Sequence, residues 1–415
     1  MTLSVVILAV VLIVIATRGI GRVRVKIWQA MLGGAAAMLA SGQIGPRQAW
    51  AAIDLDVMIF LFGMFVVGRA LVASGYLYCL ADRWFGRIRS SDGLVAALLL
   101  GIGLASALLM NDTLAIIATP LMLRLADEHR MNPTLLLLAL AFAVTIGSVM
   151  SPIGNPQNLL IAVHGGMVSP FAEFLSVLAP PTLLSLLATY GLLRCLFRHE
   201  FHAAPLVHRP VALIDPLLAR YTRWSMLTIF ALIGSRAALA VLEIPWEFKL
   251  SYIALAGAAP LLLFSRRRVA LLREIDWATL IFFAAMFVLM AGVWQNGFFQ
   301  RYIDGMRIDI TGIPAVMGIS VGLSQLISNV PLVALYLPVL DHAGATPPAL
   351  MALAAGSTIA GNLFILGAAS NVIIIQNAER SGIKLGFFEF ARVGIPVTLV
   401  SAGIYWAYLT WWFAA

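Results

Sequence analysis

Two apolar segments of this chain are each interrupted by a short polar motif, and each is followed downstream by a second interruption. In the first half the motif lies at 111–113 and a Pro- and Gly-containing break follows at 151–158. In the second half the motif lies at 328–329 and the break at 367–371. A regular transmembrane helix needs about 20 consecutive apolar residues. Interrupted segments at matching positions of two halves indicate the substrate site of a secondary transporter.

The composition restricts the chain to the membrane proteins. Of its 415 residues 61% are hydrophobic and 11% are charged, which predicts an all-α polytopic membrane protein. The net charge of +8 is better explained by cytoplasmic loops than by nucleic-acid binding. The two cysteines, Cys79 and Cys195, suggest neither a disulfide framework nor a metal cluster. The apolar run from Leu3 to Ala16 is interpreted as a retained first helix and not as a signal peptide.

The chain also lacks the motifs of common enzyme classes. It contains no Walker loop, no HExxH and no Gly-x-Ser-x-Gly sequence. We therefore predict that the protein is not an enzyme and needs no cofactor or metal ion.

The two halves can be aligned with each other along most of their length. The offset between matching positions stays between 213 and 223 residues. An ordered series of matches of this kind indicates an internal duplication. The matched positions are Lys26 with Lys249, Asp54 with Asp276, Asn111 with Asn329, Thr145 with Thr358, and Glu173 with Glu389.

The distribution of charge predicts the topology. Basic residues flank the stretch 92–127 on both sides, so this stretch should be a re-entrant hairpin that enters and leaves on the cytoplasmic side. The remaining spans of the first half lie near 3–17, 27–44, 55–78, 133–163 and 171–194. Five crossings is an odd number, so the second half should be inverted, with its own hairpin at 311–342 entering from outside. Both termini are then periplasmic.

Three parts of the chain follow from this topology. Residues 1–197 form the first inverted repeat, 198–221 a cytoplasmic linker and 222–415 the second repeat. The segment 213–224 is predicted to lie as an amphipathic helix on the membrane surface.

Labelling of single introduced cysteines tests this topology. Position 86 should be accessible from the cytoplasm and position 305 from the periplasm, because the positive-inside rule assigns their loops to opposite sides. Labelling of both positions from one side would contradict the inverted arrangement.

The hairpin tips and helix breaks supply the candidate substrate-binding residues. Irregular backbone at membrane depth requires protein or a water-filled cavity around it, so these four elements should meet near the midplane. We expect Asn155 and Asn371 to make equivalent contacts from the two breaks. The predicted substrate-binding residues are Asn111, Thr113, Asn155, Asn158, Ser328, Asn329, Ser370 and Asn371.

Asp112 is the one carboxylate in either hairpin tip. An ionisable group at membrane depth is a functional hypothesis by default, so we predict that Asp112 couples transport to protons. The alternative interpretation is that its side chain merely caps the following helix. For other charged residues we expect structural roles: an ion pair or snorkelling for Arg69, and stabilisation of helix starts for Glu173 and Glu389. Asp54 and Asp276 are interpreted as helix-boundary residues.

The sequence around these motifs resembles the ion transporter superfamily, and most of all its arsenite permease (ArsB) and NhaD sodium–proton antiporter branch. In arsenite permeases the first tip reads Asn-Asp, then small residues and Thr-Pro, as at 111–120 here. Their second tip resembles Asn-Asn-Leu-Pro, whereas this chain has Ser-Asn-Val-Pro at 328–331. The dicarboxylate branch typically has Ser-Asn-Thr at both tips, and neither tip has it here.

The resemblance implies a scaffold domain and a transport domain that carries both hairpins and moves as an elevator. It also implies efflux of arsenite, and of antimonite, in exchange for protons across a bacterial-type inner membrane. A sodium–proton antiporter that uses the same Asp112, and an anion or dicarboxylate transporter, are the alternatives. Partners consistent with this class are the solute, protons, the lipid bilayer, a second copy in a homodimer and a cytoplasmic ATPase subunit; nucleic acid is not among them.

Overall fold

The computed structural model describes residues 3–17, 19–20, 23–76, 79–80, 83, 88, 90–167, 169–201, 214–241, 249–297, 309–344 and 346–414. Within these ranges the chain is almost entirely helical. The exception is an antiparallel ribbon of two-residue strands, β1 (Gly19–Ile20) and β2 (Val23–Arg24). Positions 86 and 305, on which the labelling experiment depends, lie outside the described residues.

The first half contains a pair of hairpin helices and a helix that is interrupted. The hairpin predicted at 92–127 consists of α5 and α6, and the interrupted helix consists of α7 and α8. The helices of this half are α1 (Leu3–Thr17), α2 (Ile27–Ala40), α3 (Pro46–Ala52), α4 (Leu55–Ser74), α5 (Ser91–Ser106), α6 (Asn111–His129), α7 (Pro133–Ser148), α8 (Pro156–His164) and α9 (Pro170–Leu196).

The second half repeats this order of long and short helices. Short 3₁₀ turns at Ala360–Asn362 and Ile365–Gly367 form its helix break. Its helices are α10 (Pro216–Val241), α11 (Leu250–Phe264), α12 (Arg268–Glu274), α13 (Trp277–Trp294), α14 (Ile313–Ile327), α15 (Asn329–His342), α16 (Pro347–Ile359), α17 (Ala369–Arg380) and α18 (Phe387–Ala414).

Several helices have the length and composition of membrane spans. Among the described residues, α4, α9, α13 and α18 are each long and apolar enough to cross a bilayer alone. Helices α1, α2, α5, α7, α11 and α14 are also apolar but shorter. The chain is therefore a multi-pass membrane protein, while the side on which each hairpin enters stays a prediction.

The acidic boundary residues act as predicted. Asp54 and Asp276 are the N-caps of α4 and α13, and their carboxylates accept hydrogen bonds from backbone N–H groups three residues later. Glu173 accepts a hydrogen bond from the Ser169 backbone N–H at 2.9 Å, next to the start of α9. These carboxylates thus satisfy N–H groups at helix starts.

Arg69 forms an ion pair with Glu274. This pair joins α4 of the first half to the end of α12 in the second half. The expected structural role for Arg69 is therefore confirmed, and its partner is a residue that sequence patterns alone did not identify.

Helices α7 and α16 form the interior of one group of helices. Every residue from Thr134 to Ser148 and from Ala349 to Ile359 is buried. Helices α5 and α6 pack against α7, helices α14 and α15 pack against α16, and the long helices α9 and α18 pack against each other. The short helix after each break packs on a hairpin helix of the opposite half: α17 packs on α6, and α8 packs on α15.

A second group of helices lies beside the first. In this group α4 packs on α11, α11 on α10, α13 on α2 and α2 on α1. The first hairpin touches this group where α6 meets α4, and the second hairpin touches it where α15 meets α13 and α14 meets α1. The chain therefore consists of a hairpin-bearing helix group and a flanking helix group.

Close approach of two glycines fixes the first hairpin on α7. A Cβ atom added at Gly147 of α7 would collide with the backbone of Gly103 in α5. The two helix backbones are therefore in direct contact, which only residues without a side chain permit.

The linker predicted at 198–221 ends earlier in the chain than predicted. Helix α10 begins at Pro216 and runs unbroken to Val241, so residues 216–221 belong to a long helix. Most of the predicted surface segment 213–224 is the first part of α10. No proline after Pro216 separates this part from the rest of the helix. Residues 202–213 lie outside the described part of the chain.

Candidate substrate site at the hairpin tips and helix breaks

The first hairpin tip is attached directly to the first helix break. The backbone N–H of Asn111 donates a hydrogen bond to the carbonyl oxygen of Gly154 at 2.9 Å. The Asn111 side-chain oxygen accepts from the backbone N–H of Asp112 at 2.8 Å. Thr113 lies against α4, where a Cβ atom on Gly68 would come within 2.8 Å of its methyl carbon. The tip is thus held between α4 and the break.

Asp112 does not cap α6, the helix that starts at Asn111. The capping position of α6 is Met110, which forms no side-chain cap, and Asp112 lies two residues further on. Asp112 is half-buried. The interpretation of Asp112 as a helix cap is therefore wrong, because Met110 holds the capping position and the first two N–H groups bond to Gly154 and to the Asn111 side chain.

The first break is closed by an internal hydrogen-bond network. The Asn158 side-chain NH₂ group donates to the carbonyl oxygens of Ser148, Val149 and Ser151, at 3.1–3.2 Å, and these three acceptors share its two hydrogens. These carbonyls are released where α7 ends. Asn155 accepts from the Asn158 backbone N–H at 2.8 Å and donates to the Ser148 hydroxyl at 2.9 Å. Both amides are fully buried and engaged within the protein.

A residue from the second half completes this network. The Thr358 hydroxyl oxygen accepts from the Asn155 side-chain N–H at 3.2 Å, and it donates to the Asn158 side-chain oxygen at 3.3 Å. Thr358 lies at the end of α16, about 200 residues away in sequence. The first break is therefore held by both halves of the chain.

The second break lacks most of these bonds. Asn371 is the third residue of α17, as Asn158 is of α8, and its side-chain N–H donates to the Gly361 carbonyl at 2.6 Å. Asn371 therefore corresponds to Asn158 and not to Asn155, whose place is taken by Ala368. The predicted equivalence of Asn155 and Asn371 is wrong, because equal spacing from each helix start decides the match.

Several buried polar atoms around the second break lack a hydrogen-bond partner among the described residues. They are the side-chain oxygens of Asn329 and Asn371, the Ser370 hydroxyl, and both amide atoms of Asn362. An unsatisfied buried polar group costs about 1–3 kcal/mol, so most such groups in proteins bind something. Sequence reasoning missed Asn362; the signal for it was a lone Asn among small apolar residues directly after α16.

Gln325 of α14 adds to the same cluster. Its side-chain N–H donates to the Ala360 carbonyl oxygen at 2.7 Å, so it holds a carbonyl released at the second break. Its side-chain oxygen packs closely on Gly367, where an added Cβ atom would lie 2.9 Å from it. The second hairpin and the second break are thus joined here by a side chain, whereas the first hairpin and break are joined by backbone atoms.

The second hairpin tip has an uncommon backbone conformation. Ser328 has φ 71° and ψ 160°, a region that residues other than glycine seldom adopt. Such a conformation costs on the order of 1–3 kcal/mol and tends to occur at functional sites. The sharp turn places Asn329, which is buried, next to Gly361 of the second break.

Two substitutions of Ser328 separate its backbone from its hydroxyl. We expect Ser328→Gly to raise the free energy of unfolding by about 1 kcal/mol, because glycine adopts this conformation without strain. Ser328→Ala keeps the strain and removes the same hydroxyl. Equal losses of transport in both variants, measured beside thermal unfolding midpoints, would show that the hydroxyl contacts the solute; normal transport in both would remove Ser328 from the binding site.

The two breaks should also respond differently to loss of their amides. We expect Asn158→Ala to lower the free energy of unfolding by about 3 kcal/mol, because three buried carbonyl groups lose the donor they share and the Thr358 hydroxyl loses its acceptor. Asn371→Ala removes one such bond and should lower it by roughly 1 kcal/mol, while raising the KM for the transported solute. Equal stability losses with unchanged KM would contradict the assignment of Asn371 to the solute site.

The four segments at this centre carry little charge. Residues 107–116, 148–158, 327–332 and 359–372 contain one carboxylate, that of Asp112, and no Lys, Arg or His. Fully ionised anions are usually bound by basic side chains or by helix N-termini. The side chains here suit uncharged, hydroxyl-bearing solutes or cations, while the N-termini of α6, α8, α15 and α17, which begin in these segments, suit anions.

Comparison with known proteins places the chain in a transporter family. A family model described as "Citrate transporter" (CitMHS) matches residues 9–348, most of the chain. The chain belongs to the citrate transporter family. Its relatives are transporters, so members of this family are not enzymes, which confirms that prediction.

Individual relatives agree with this family assignment. An uncharacterized transporter of Mycobacterium tuberculosis is 30% identical over 372 residues, covering 86% of each chain. The silicon efflux transporter LSI3 of rice, Oryza sativa subsp. japonica, is 28% identical and covers 89% of this chain and 90% of its own. The crystal structure of the Alcanivorax borkumensis YdaH transporter has the same fold, with a TM-score of 0.57, 14% identity, and coverage of 99% and 97%.

Proposed function

We propose that this citrate-family transporter exports arsenite, and antimonite, in exchange for protons, as a member of the arsenite permease and NhaD branch. The observation that carries the proposal is the uncharged cluster of unsatisfied polar groups at the second break, with Asp112 as the one titratable group of the four central segments. The cluster would bind the solute, and Asp112 would bind the proton.

The chemistry of arsenite suits this cluster. Arsenite near neutral pH is mainly an uncharged trihydroxide, so it offers three O–H donors and several acceptor lone pairs. The oxygens of Asn329 and Asn371 can accept from such hydroxyls, and the amide N–H group of Asn362 can donate to them. The rice relative is named for efflux of silicon, which is also an inorganic solute. Asn111, Thr113 and Ser328 would contact the solute from the hairpin tips.

For the transport cycle we propose an elevator built from two inverted repeats. The hairpin-bearing helix group, with α7 and α16 at its centre, would be the moving transport domain. The flanking group with α4 and α13 would be the scaffold. The proposal is supported by the direct attachment of the first tip to its break, because a tip and break that move together can carry a bound solute.

A sodium–proton antiporter is the second candidate. The unsatisfied side-chain oxygens of Asn329 and Asn371 are the kind of ligand that sodium and other hard cations prefer. A carboxylate transporter, which the family description would suggest, is the third candidate: the four central segments carry no basic side chain, so a carboxylate would depend on the helix N-termini that begin there.

Uptake into everted membrane vesicles tests these alternatives directly. Arsenite, sodium and succinate are compared under an imposed gradient with an acidic interior, and vesicles with Asp112→Asn serve as the control. We expect gradient-dependent accumulation of arsenite and no accumulation of succinate. Accumulation of sodium alone would contradict arsenite transport and support the sodium–proton antiporter. Accumulation of succinate alone would contradict both of these proposals.

A further inference from the structure

A deep apolar cleft separates the first hairpin from the flanking helices. It has a volume of about 420 Å³ and lies between α4, both hairpin helices α5 and α6, and α10. This volume is in the range of ordinary ligand sites. Its described lining residues are apolar apart from Tyr76 and Arg223, and Arg223 is the one charged residue among them.

The face that α10 presents to the cleft is cationic at one end and apolar along the rest. Arg223, Met226, Leu227 and Phe230 line the cleft at helical spacings of three and four residues. Arg223 is the nearest of the four to the start of α10, and its neighbour Trp224 is 64% exposed, as is typical of aromatic residues at the membrane surface. The predicted topology places the start of α10 at the cytoplasmic surface, and the apolar members then lie deeper in the bilayer than the guanidinium group.

The opposite wall belongs to the hairpin. Leu114, Ile117, Ala118 and Leu121 of α6 line the cleft with the same helical spacing. On α5 the small residue Ala105 leaves room between the walls. The cleft is open towards lipid, because the side chains at its edge are well exposed, as for Leu104 and Leu227.

We propose that this cleft binds one acyl chain of an anionic phospholipid, whose phosphate is bound by Arg223. The phosphate of an anionic phospholipid needs a cation at the level of the headgroups, and the acyl chain needs an apolar channel that runs into the membrane. The α10 face supplies both in that order, and a basic residue near the membrane surface attracts anionic lipid. The lipid would contact α6, which begins at the tip that carries Asp112, and would thereby stabilise the hairpin against the flanking helices.

Lipid binding to the purified, delipidated protein tests this proposal. Native mass spectrometry is used to titrate phosphatidylglycerol and phosphatidylcholine of identical chain length. We expect tighter binding of phosphatidylglycerol, a roughly fivefold loss of that preference in Arg223→Gln, and weaker binding of both lipids in Ala105→Phe, which fills the cleft. Arg220→Gln is the matched control, because Arg220 lies one turn earlier on α10 and does not line the cleft.

Several outcomes would overturn the proposal. Equal lipid preference in Arg223→Gln and the unsubstituted protein would exclude Arg223 as the phosphate ligand. Unchanged binding in a folded Ala105→Phe protein would exclude the cleft as the acyl-chain site. Competition by inorganic phosphate as strong as that by phosphatidylglycerol would show a simple anion site. Binding is measured without any transported solute, so the result is independent of the proposed arsenite transport.

Discussion

Replacement of Asp112 by asparagine is expected to abolish transport driven by a pH gradient while leaving the protein folded. The first two N–H groups of α6, those of Asn111 and Asp112, bond to the Gly154 carbonyl and to the Asn111 side chain, so these bonds at the helix start do not depend on the carboxylate. Asparagine has nearly the same shape and cannot release a proton. The substitution therefore removes titration from the four central segments, of which Asp112 is the one titratable residue.

Three measurements define this prediction. Arsenite uptake into everted vesicles should fall to background in Asp112→Asn at every imposed gradient, while solute binding to the purified protein is retained. Asp112→Glu should restore part of the gradient-driven transport because it restores a carboxylate. Asp127→Asn is the control, since Asp127 is an exposed residue of the same helix. Unchanged transport with unchanged pH dependence in Asp112→Asn would refute proton coupling through this residue.

Substitution of Gly147 by alanine is expected to have the largest effect on folding. The added methyl group would meet the backbone of Gly103 in α5. Backbone atoms cannot rotate away as a side chain can, so α5 would have to separate from α7. Overpacking of this kind costs about 3 kcal/mol or more when the neighbours cannot relax. We expect little folded protein, and a strongly lowered thermal unfolding midpoint in the part that remains.

Gly191 provides the matched control for this experiment. It lies in α9, and a Cβ atom added there would meet nothing within 4 Å. Gly191→Ala should therefore leave stability unchanged or raise it by roughly 0.5–1 kcal/mol, the usual gain of alanine over glycine in a helix. If Gly147→Ala matched this control in yield and unfolding midpoint, the close contact between α5 and α7 would not be required for folding.

The elements of the fold could be predicted from the sequence because each depends on local chemistry. The hairpins predicted at 92–127 and 311–342 correspond to helix pairs spanning Ser91–His129 and Ile313–His342. Polar residues inside an apolar segment, together with Pro and Gly, mark these boundaries wherever they occur. The same local reasoning identified Asp54 and Asp276 as boundary residues, since N-capping involves backbone groups only three residues away.

The tertiary structure decided which polar side chains are already bonded and which are not. Asn158 and Asn371 have the same residue type and the same place in their helices, yet only Asn158 accepts a hydrogen bond from a hydroxyl of the opposite half. That bond joins residues about 200 positions apart, and no local pattern contains it. The sequence alone therefore predicted where the chain breaks and turns. Only three-dimensional packing determined that polar atoms at the second break, including those of Asn362, have no hydrogen-bond partner among the described residues. The reason is that a hydrogen bond depends on distances between atoms, which the order of residues does not specify.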